Sequence, residues 1–313
     1  MIVVAGGSGF IGSAVVRRLL AGGQEVRVMT AHPERSRSRI EGMGAAVVLG
    51  DVLDASSLAG AVRGAGVVIQ TLTFPTFPVE KARKRFTFEE FDHLGTERLV
   101  GAAVEAGAKR YVFCSGSGAG PDAPKVWFRA KWGGEEAVRR SGIEHAILRP
   151  SWVYGPEDNA LNQYVKFIKS ALPVVPVIGN GRQRLQPVFV ADVAKAVAES
   201  VVGDGPASGV YEIGGPEVLS LDEIIRTVER TLGKPKPLVH TPVWLMKVLF
   251  SPKALIPALP IPLGSAGLEF ATMDAVADNS ALLATFPGLR LTPLEDGLNS
   301  YLGGTARRPL SPE

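Results

Sequence analysis

Short apolar runs alternate with helical stretches through the first half of the chain. The runs at residues 2–5, 25–30, 45–49, 67–71, 110–114 and 144–148 have the length and composition of buried strands. The stretches between them, at 10–20, 55–62, 88–106 and 127–141, are predicted to be helices. Strands and helices that alternate at this spacing predict βαβ units and a parallel sheet.

The pattern changes after Pro150. We expect a helix at 161–171, a loop rich in Pro and Gly at 173–181, a strand entering a helix at 188–202, and a late strand at 210–213. An amphipathic helix at 221–232 is predicted to begin with a capping box of Ser220 and Glu223. The predicted fold is α/β: a doubly wound parallel Rossmann sheet formed by residues 1–155 and 187–213, with a small C-terminal substrate lobe formed by 156–186 and 214–313.

Three glycines separate the first strand from the first helix. Gly6 permits the tight turn, Gly9 lets backbone N–H groups approach a pyrophosphate, and Gly12 lets the helix pack close to the strand. The positive N-terminus of that helix faces the phosphates. Glycine turns are common, but this one lies between a strand and a helix, as nucleotide binding requires.

Composition narrows the choice of partners and compartment. The 313 residues are 46% hydrophobic and 21% charged, with a net charge of +3, which gives no support for nucleic acid as a partner. Cys114 is the only cysteine, and the four histidines lack metal-ligand spacing. Because the first strand begins at Met1, we expect no signal peptide and a cytoplasmic location.

Two segments leave alternatives open. Residues 241–263 begin with an apolar stretch and continue with prolines, which predicts a helix followed by an extended connector. The same segment could instead cover an apolar substrate, or contact a membrane surface or another protein; its prolines exclude a spanning helix. The loop at 74–85 carries the basic run 81–85 and is either a solvated surface or a flap that contacts an anionic ligand.

The spacing Gly6-x-x-Gly9-x-x-Gly12, with Phe10-Ile11, resembles the extended and atypical short-chain dehydrogenase/reductase families. In those families an acidic residue after the second strand selects NAD, whereas arginine binds the 2′-phosphate of NADP. This chain has no acid in 30–32 and has Arg35 and Arg37 beyond, with Arg39 also within reach, so NADP is the expected cofactor, with NAD still possible. In those families an Asp after the third strand hydrogen-bonds the adenine amine, a position that corresponds to Asp51 in Gly50-Asp51-Val52. The other positions that the resemblance assigns to the cofactor are Thr30, Val52, Gln70, Thr71, Lys131, Pro150 and Val153.

The resemblance also implies a catalytic Tyr-x-x-x-Lys pair on one helix face. This chain keeps the lysine as Lys131 but has Trp127 at the tyrosine position, and an indole N–H is no acid or base at neutral pH. The family's catalytic Ser or Thr corresponds to Ser115 or Ser117, each of which could equally form a serine turn. Tyr154 is a substitute acid in principle, although the equivalent family position is usually structural.

The second lobe decides between branches of the superfamily. Residues 179–192 resemble the substrate lobe of nucleotide-sugar epimerases, but the arginine that holds a diphosphate there corresponds to Leu185. Residues 186–188 resemble the atypical branch that includes the accessory nucleotide-binding subunit of respiratory complex I, with NmrA-like sensors as more distant relatives. The expected function is an NAD(P)-dependent oxidoreductase for a small or apolar carbonyl compound, with a degenerate Tyr-x-x-x-Lys site. The alternative is a non-catalytic dinucleotide sensor or assembly module, and an epimerase-like enzyme comes third.

Overall fold

The computed structural model describes residues 1–201, 208–249 and 265–303. The chain forms two compact units. The first comprises Met1–Ser151, Val190–Ile213 and Ala277–Arg290, and the second comprises Trp152–Phe189, Gly214–Val276 and Leu291–Glu313. The first unit therefore includes Ala277–Arg290, a segment that the sequence analysis assigned to the smaller lobe.

A seven-stranded parallel sheet forms the centre of the first unit. Its strands are β1 (Ile2–Ala5), β2 (Val26–Thr30), β3 (Ala46–Leu49), β4 (Val67–Gln70), β5 (Arg110–Cys114), β6 (Glu144–Pro150) and β11 (Gly209–Ile213). Their order is β11-β6-β5-β4-β1-β2-β3, so the direction of winding reverses between β1 and β4. The doubly wound Rossmann sheet predicted from the sequence is confirmed, and ligands of such sheets bind at this reversal.

The helices of this unit form two contacting groups. They are α1 (Phe10–Ala21), α2 (Pro33–Glu41), α3 (Leu58–Val62), α4 (Leu94–Glu105), α5 (Val126–Arg140), α7 (Val190–Glu199) and α11 (Ser280–Thr285). Helix α1 packs against α7, whereas α3, α4 and α5 contact one another in turn. A π-helical turn at Glu89–His93 leads into α4, and 3-10 turns lie at Ala55–Ser57 and Ala82–Lys84.

The second unit is built from three strand pairs and surrounding helices. The strands are β7 (Trp152–Tyr154), β8 (Val175–Ile178), β9 (Arg184–Leu185), β10 (Pro187–Phe189), β12 (Leu219–Ser220) and β13 (Leu238–Thr241), and the helices are α6 (Leu161–Lys169), α8 (Leu221–Leu232), α9 (Val243–Leu249), α10 (Ser265–Phe270) and α12 (Leu294–Leu302). Strands β7 and β10 pair in parallel, as do β8 and β13, and β9 and β12 are antiparallel.

Two local predictions in this unit have opposite outcomes. The capping box of α8 is present, with Ser220 accepting from the Glu223 N–H and the Glu223 carboxylate accepting from Ser220 N–H. The prediction of a loop throughout 173–181 is wrong, because Val175–Ile178 forms β8 by pairing with Leu238–Thr241. That partner lies far along the chain, so the local Pro and Gly content gave no indication of it.

Of the segment 241–263, residues 250–263 lie outside the described residues. Its first part contains the end of β13 and all of α9, where Trp244 is 67% exposed and Met246 is buried. Within 1–201, 208–249 and 265–303, no helix has the length and apolar character needed to cross a bilayer.

Candidate functional site

The turn between β1 and α1 depends on two glycines for its geometry. Gly6 has φ +83°, a conformation that other residues rarely adopt, and a Cβ there would lie 3.0 Å from the Thr71 backbone. A Cβ on Gly12 would overlap the carbonyl oxygen of Gly6 and come within 2.6 Å of Thr71 Oγ1. The helix can therefore approach the turn this closely only without side chains at these positions.

Gly9 has a different environment. It is the N-cap residue of α1, its φ is −80°, and the nearest atom to an added Cβ is the Gly6 oxygen at 3.2 Å. No side chain caps this end of the helix, so the first-turn N–H groups are available to an anion. A methyl group at Gly9 therefore needs a shift of only a few tenths of an ångström, a much smaller demand than at Gly12.

The end of β2 carries no acidic side chain at Thr30, Ala31 or His32. The first turn of α2, however, presents Glu34, which lies 3.5 Å from His32 Nδ1 and 3.8 Å from Arg35 Nε. Arg37 pairs with Glu41 at 2.9 Å one turn later. Each of the two predicted phosphate-binding arginines thus has a carboxylate beside it, although both are mostly exposed and exposed pairs are weak.

A serine on α1 joins two further arginines, of which the sequence analysis placed only Arg39 within reach of a 2′-phosphate. Arg17 Nη2 and Arg39 Nη2 approach Ser13 Oγ at 3.4 and 3.5 Å, which links α1 to α2. Ser13 is fully buried and also donates to the Phe10 carbonyl. The spacing of Arg39 along α2 was visible in the sequence, but its contact with α1 depends on tertiary packing.

Asp51 and Val52 follow β3, as predicted for an adenine-binding position. Asp51 Oδ1 accepts from Leu53 N–H at 2.9 Å, and Asp51 N–H donates to Ser57 Oγ at 2.9 Å. Val52 is buried. These bonds hold the turn in one shape and direct the Asp51 carboxylate by an Asx-type turn.

Gln70 and Thr71, at the end of β4, serve the packing of the sheet. Gln70 is 1% exposed; its Nε2 donates to Thr96 Oγ1 at 2.9 Å, and its Oε1 accepts from the Tyr111 hydroxyl. Thr71 donates from both N and Oγ1 to the Ala5 carbonyl, at 2.9 and 3.1 Å. The Gln70 side chain is therefore bound within the core, and Thr71 hydrogen-bonds the residue that precedes the glycine turn.

Trp127 lies in an aromatic cluster, with Lys125 Nζ 5.9 Å from its ring centroid. It is 5% exposed, and its ring centroid is 5.8 Å from those of Phe88 and Phe128. Phe88 in turn contacts Phe74 at 5.0 Å and Phe77 at 5.9 Å. The position that holds a tyrosine in the resembled families is here part of an apolar packing unit.

Lys131 is held by a buried carboxylate that the sequence analysis missed. Its Nζ lies 2.7 Å from Asp92 Oδ1 and donates to the Cys114 carbonyl at 3.3 Å. Asp92 is 3% exposed, and burial raises the pKa of its carboxyl while the Lys131 charge acts in the opposite direction. The close approach is possible because position 134 is a glycine: a Cβ on Gly134 would overlap the Asp92 carbonyl oxygen.

The cysteine next to this pair is inert. Cys114 is buried at the end of β5, and burial raises the pKa of its thiol to about 12. A protonated, inaccessible thiol is neither a nucleophile nor a proton relay near neutral pH.

Ser115 belongs to a buried ionic cluster between α5 and β6. Its hydroxyl donates to Glu135 Oε1 at 2.6 Å, and Glu135 is 0% exposed. Arg149 binds the same carboxylate through Nε at 2.8 Å and Nη2 at 2.6 Å, and Arg139 adds a bond of 2.7 Å. Ser117 is less buried, and its N–H donates to the Pro150 carbonyl at 3.0 Å. The Ser115 hydroxyl is thus bound to Glu135 in this structure.

Val153 and Tyr154 lie in the second unit. Val153 pairs with Val188 in the β7–β10 ladder. Tyr154 is fully buried, and a Cβ on Gly297 would overlap its hydroxyl, so α12 packs directly on the phenol. Tyr154 therefore packs against α12 within the second unit.

The sheet is doubly wound, and a glycine turn links β1 to α1 next to the point where the direction of winding reverses. This combination defines a dinucleotide-binding Rossmann protein. The comparison with protein families agrees. The model of the NAD(P)H-binding family matches residues 6–201, and the chain belongs to this family.

The curated relatives include a subunit of NADH dehydrogenase and a reductase. The chain is 31% identical over 306 residues to the mitochondrial NADH dehydrogenase [ubiquinone] 1 alpha subcomplex subunit 9 of Arabidopsis thaliana, covering 93% of this chain and 73% of that protein. It is 30% identical over 236 residues to the (4-alkanoyl-5-oxo-2,5-dihydrofuran-3-yl)methyl phosphate reductase of Streptomyces griseus, covering 75% of each. The predicted resemblance to short-chain dehydrogenase/reductases and to the complex I subunit branch is confirmed.

Solved structures of similar fold include nucleotide-sugar epimerases. The UDP-glucose 4-epimerase of Thermus thermophilus, in complex with NAD, has a TM-score of 0.73 at 21% identity, covering 97% of this chain and 99% of the epimerase. The UDP-glucuronic acid 4-epimerase of Bacillus cereus has a TM-score of 0.74 at 19% identity, covering 96% and 97%. At these identities the likeness shows the fold alone.

Proposed function

We propose that this protein binds NAD(P)(H) and holds it as a structural or sensing module, without Tyr–Lys carbonyl chemistry. The observation that carries the proposal is the state of the predicted proton relay. Trp127 is packed among phenylalanines, and Lys131 is ion-paired with Asp92. The hydroxyl of Ser115 is bound to Glu135. General acid–base assistance is worth about 10²–10⁴ in rate, and these side chains do not supply it.

The finer choice of cofactor within this proposal is NADP(H), with NAD(H) as the alternative. The absence of a carboxylate at Thr30 to His32 supports it, because a 2′-phosphate meets no repulsion there. Arg35 and Arg37 supply positive charge on the next helix. Glu34 and Glu41 moderate that charge, so the expected preference is modest.

The assembly role is supported by a relative of 31% identity that is named as a subunit of NADH dehydrogenase. A protein that keeps the dinucleotide turn but not the proton relay fits a subunit better than a free-standing carbonyl reductase. The partner surface is part of the proposal; residues 241–249, with the exposed Trp244, belong to the segment that the sequence analysis considered for such contact.

A reductase of a different kind is the second candidate, favoured by two relatives. Besides the Streptomyces griseus reductase, the chain is 25% identical over 235 residues to an NAD(P)H azoreductase of Xenophilus azovorans. Hydride transfer from NAD(P)H to a conjugated C=C or N=N bond forms an anion that water can protonate. Such a reaction oxidises the nicotinamide and needs no tyrosine at position 127.

The test separates these functions with one protein and two variants. Calorimetry measures NADPH and NADH binding, and loss of NADPH absorbance measures turnover with a simple ketone, an azo dye and a conjugated lactone. We expect binding without turnover in the wild type, and a gain of slow ketone reduction in Trp127→Tyr, which restores the phenol one turn from Lys131. Trp127→Phe is the matched control, because it keeps an aromatic ring but adds no hydroxyl.

The possible outcomes distinguish the two candidate functions. Brisk wild-type ketone turnover that persists in Trp127→Phe contradicts the proposal. Turnover confined to the azo dye or the lactone favours the second candidate. Failure to bind either nucleotide contradicts both.

A further inference from the structure

Arg85 has an unusual backbone conformation for its residue type. Its φ is 57°, and among the described residues it is the one non-glycine with positive φ. Such strain persists where the surrounding contacts require it. Here the guanidinium binds both oxygens of Glu90, at 3.0 and 2.8 Å, and donates to the Leu53 carbonyl at 3.0 Å. The contacts of the side chain explain why the strained conformation is kept.

Glu90 holds a second arginine in the same way. Arg98, on α4, places Nη1 and Nη2 each 3.2 Å from Glu90 Oε2, and its Nη1 also donates to the Val52 carbonyl at 3.1 Å. One carboxylate on the π-helical turn thus orients two guanidinium groups, and these bind the carbonyls of two consecutive residues in one turn. The arrangement is partly shielded, since the Glu90 side chain is 22% exposed and that of Arg98 is 25% exposed.

The turn held by these arginines is the one that follows β3. It includes Asp51, whose carboxylate accepts from the Leu53 N–H and also acts electrostatically on Arg85. The bond to Arg85 lowers the pKa of the Glu90 carboxyl, so the carboxylate that binds the two arginines is charged at neutral pH. Arg85 itself ends the exposed basic run 81–85 of the loop between β4 and α4.

We propose that Glu90, through Arg85 and Arg98, is a positioning residue for the adenine end of the dinucleotide. It fixes the Asp51–Leu53 turn in the shape that receives the adenine base. It also couples occupation of that turn to the conformation of the loop that carries the basic run. The inference rests on the proposed cofactor role of Asp51 and names no new step in the chemistry.

The experiment compares Glu90→Gln with Glu97→Gln, an equal loss of charge at an exposed position of the neighbouring helix α4. Calorimetry measures two halves of the cofactor separately: ADP-ribose for the adenine end, and reduced nicotinamide mononucleotide for the other. We expect Glu90→Gln to weaken ADP-ribose binding by about tenfold, as for loss of a charged hydrogen bond. Binding of the mononucleotide is expected to stay within about twofold, and Glu97→Gln to change neither.

Trypsin supplies the readout that a merely structural role would not move. It cleaves after lysine and arginine, and the exposed run 81–85 contains four such residues. ADP-ribose is expected to slow this cleavage in the wild type and in Glu97→Gln, but not in Glu90→Gln. Equal loss of affinity for both halves, or cleavage in Glu90→Gln that ADP-ribose still slows, overturns the inference and leaves the proposed function standing. A wild type that binds NADPH but not ADP-ribose overturns the inference, and a wild type that binds neither NADPH nor NADH overturns the proposed function itself.

Discussion

Two glycines of the same turn are expected to respond in opposite ways to the same substitution. Gly9→Ala should impair dinucleotide binding and leave the fold intact, whereas Gly12→Ala should damage the fold itself. Both changes add one methyl group, and both residues belong to the start of α1. The difference comes only from what surrounds each Cβ position.

The structure gives the magnitudes. At Gly12 the new Cβ would overlap the Gly6 carbonyl oxygen and lie 2.6 Å from Thr71 Oγ1, so helix or turn must move. Overpacking of this kind costs about 1–3 kcal/mol or more, which exceeds the roughly 1 kcal/mol that alanine gains over glycine inside a helix. At Gly9 the contact is 3.2 Å and φ is −80°, so the free energy of unfolding should change by less than about 1 kcal/mol.

At Gly9, substitution should affect the affinity for the dinucleotide much more than the free energy of unfolding. A methyl group above the first-turn N–H groups keeps a pyrophosphate at a distance, and loss of a charge-assisted bond costs about 1.5–3 kcal/mol. That corresponds to roughly 10–150-fold in Kd. Gly9→Val, with two more methyl groups at the same place, should abolish measurable binding.

Urea denaturation of the wild type and the three variants checks the predicted stabilities, and NADPH calorimetry checks the predicted affinities. The reasoning is refuted if Gly9→Val binds NADPH as tightly as the wild type, because the glycines would then serve the turn alone. It is also refuted if Gly9→Ala loses as much stability as Gly12→Ala, because the packing around the two positions would then be misassigned.

Three further predictions concern charges. Asp92→Asn leaves the half-buried Lys131 without its counter-ion, and urea denaturation should show a loss of up to about 3 kcal/mol. Lys236→Met removes an ammonium that donates to three carbonyls at the end of α6, at 2.7–3.0 Å, and should lower the free energy of unfolding by about 1 kcal/mol in the same assay; no change would mean that solvent replaces those bonds. Arg35→Ala or Arg37→Ala should reduce a preference for NADPH over NADH in calorimetry, and an unchanged preference in both would contradict the NADP assignment.

The sheet of the first unit could be predicted because buried parallel strands are apolar runs bounded by turns. Arg110–Cys114 begins and ends where the sequence placed it, and Glu144–Pro150 extends two residues beyond the predicted end. Glycines with a backbone or packing requirement, such as Gly6 and Gly12, were equally visible. These features are local, so the sequence carries them directly.

The state of the candidate site could not be predicted in the same way. Lys131 was identified from a helix motif, but its partner Asp92 comes from a π-helical turn within a stretch predicted to be one helix. Gln70 lies at the expected strand end, yet its side chain turns into a core network with Tyr111. These contacts depend on how separate helices and strands pack, which neither periodicity nor motif spacing encodes.

The return of Ala277–Arg290 to the first unit has a consequence for synthesis of the chain. Phe286 stacks edge-on against Tyr211 at 5.5 Å, and Asp278 N–H donates to Glu212 at 2.8 Å, so this late segment covers the strand β11. On the ribosome, that strand lacks these contacts until residues 277–290 have emerged. A gene fragment that stops at residue 213 encodes every strand of the sheet, and still does not encode the complete nucleotide-binding unit.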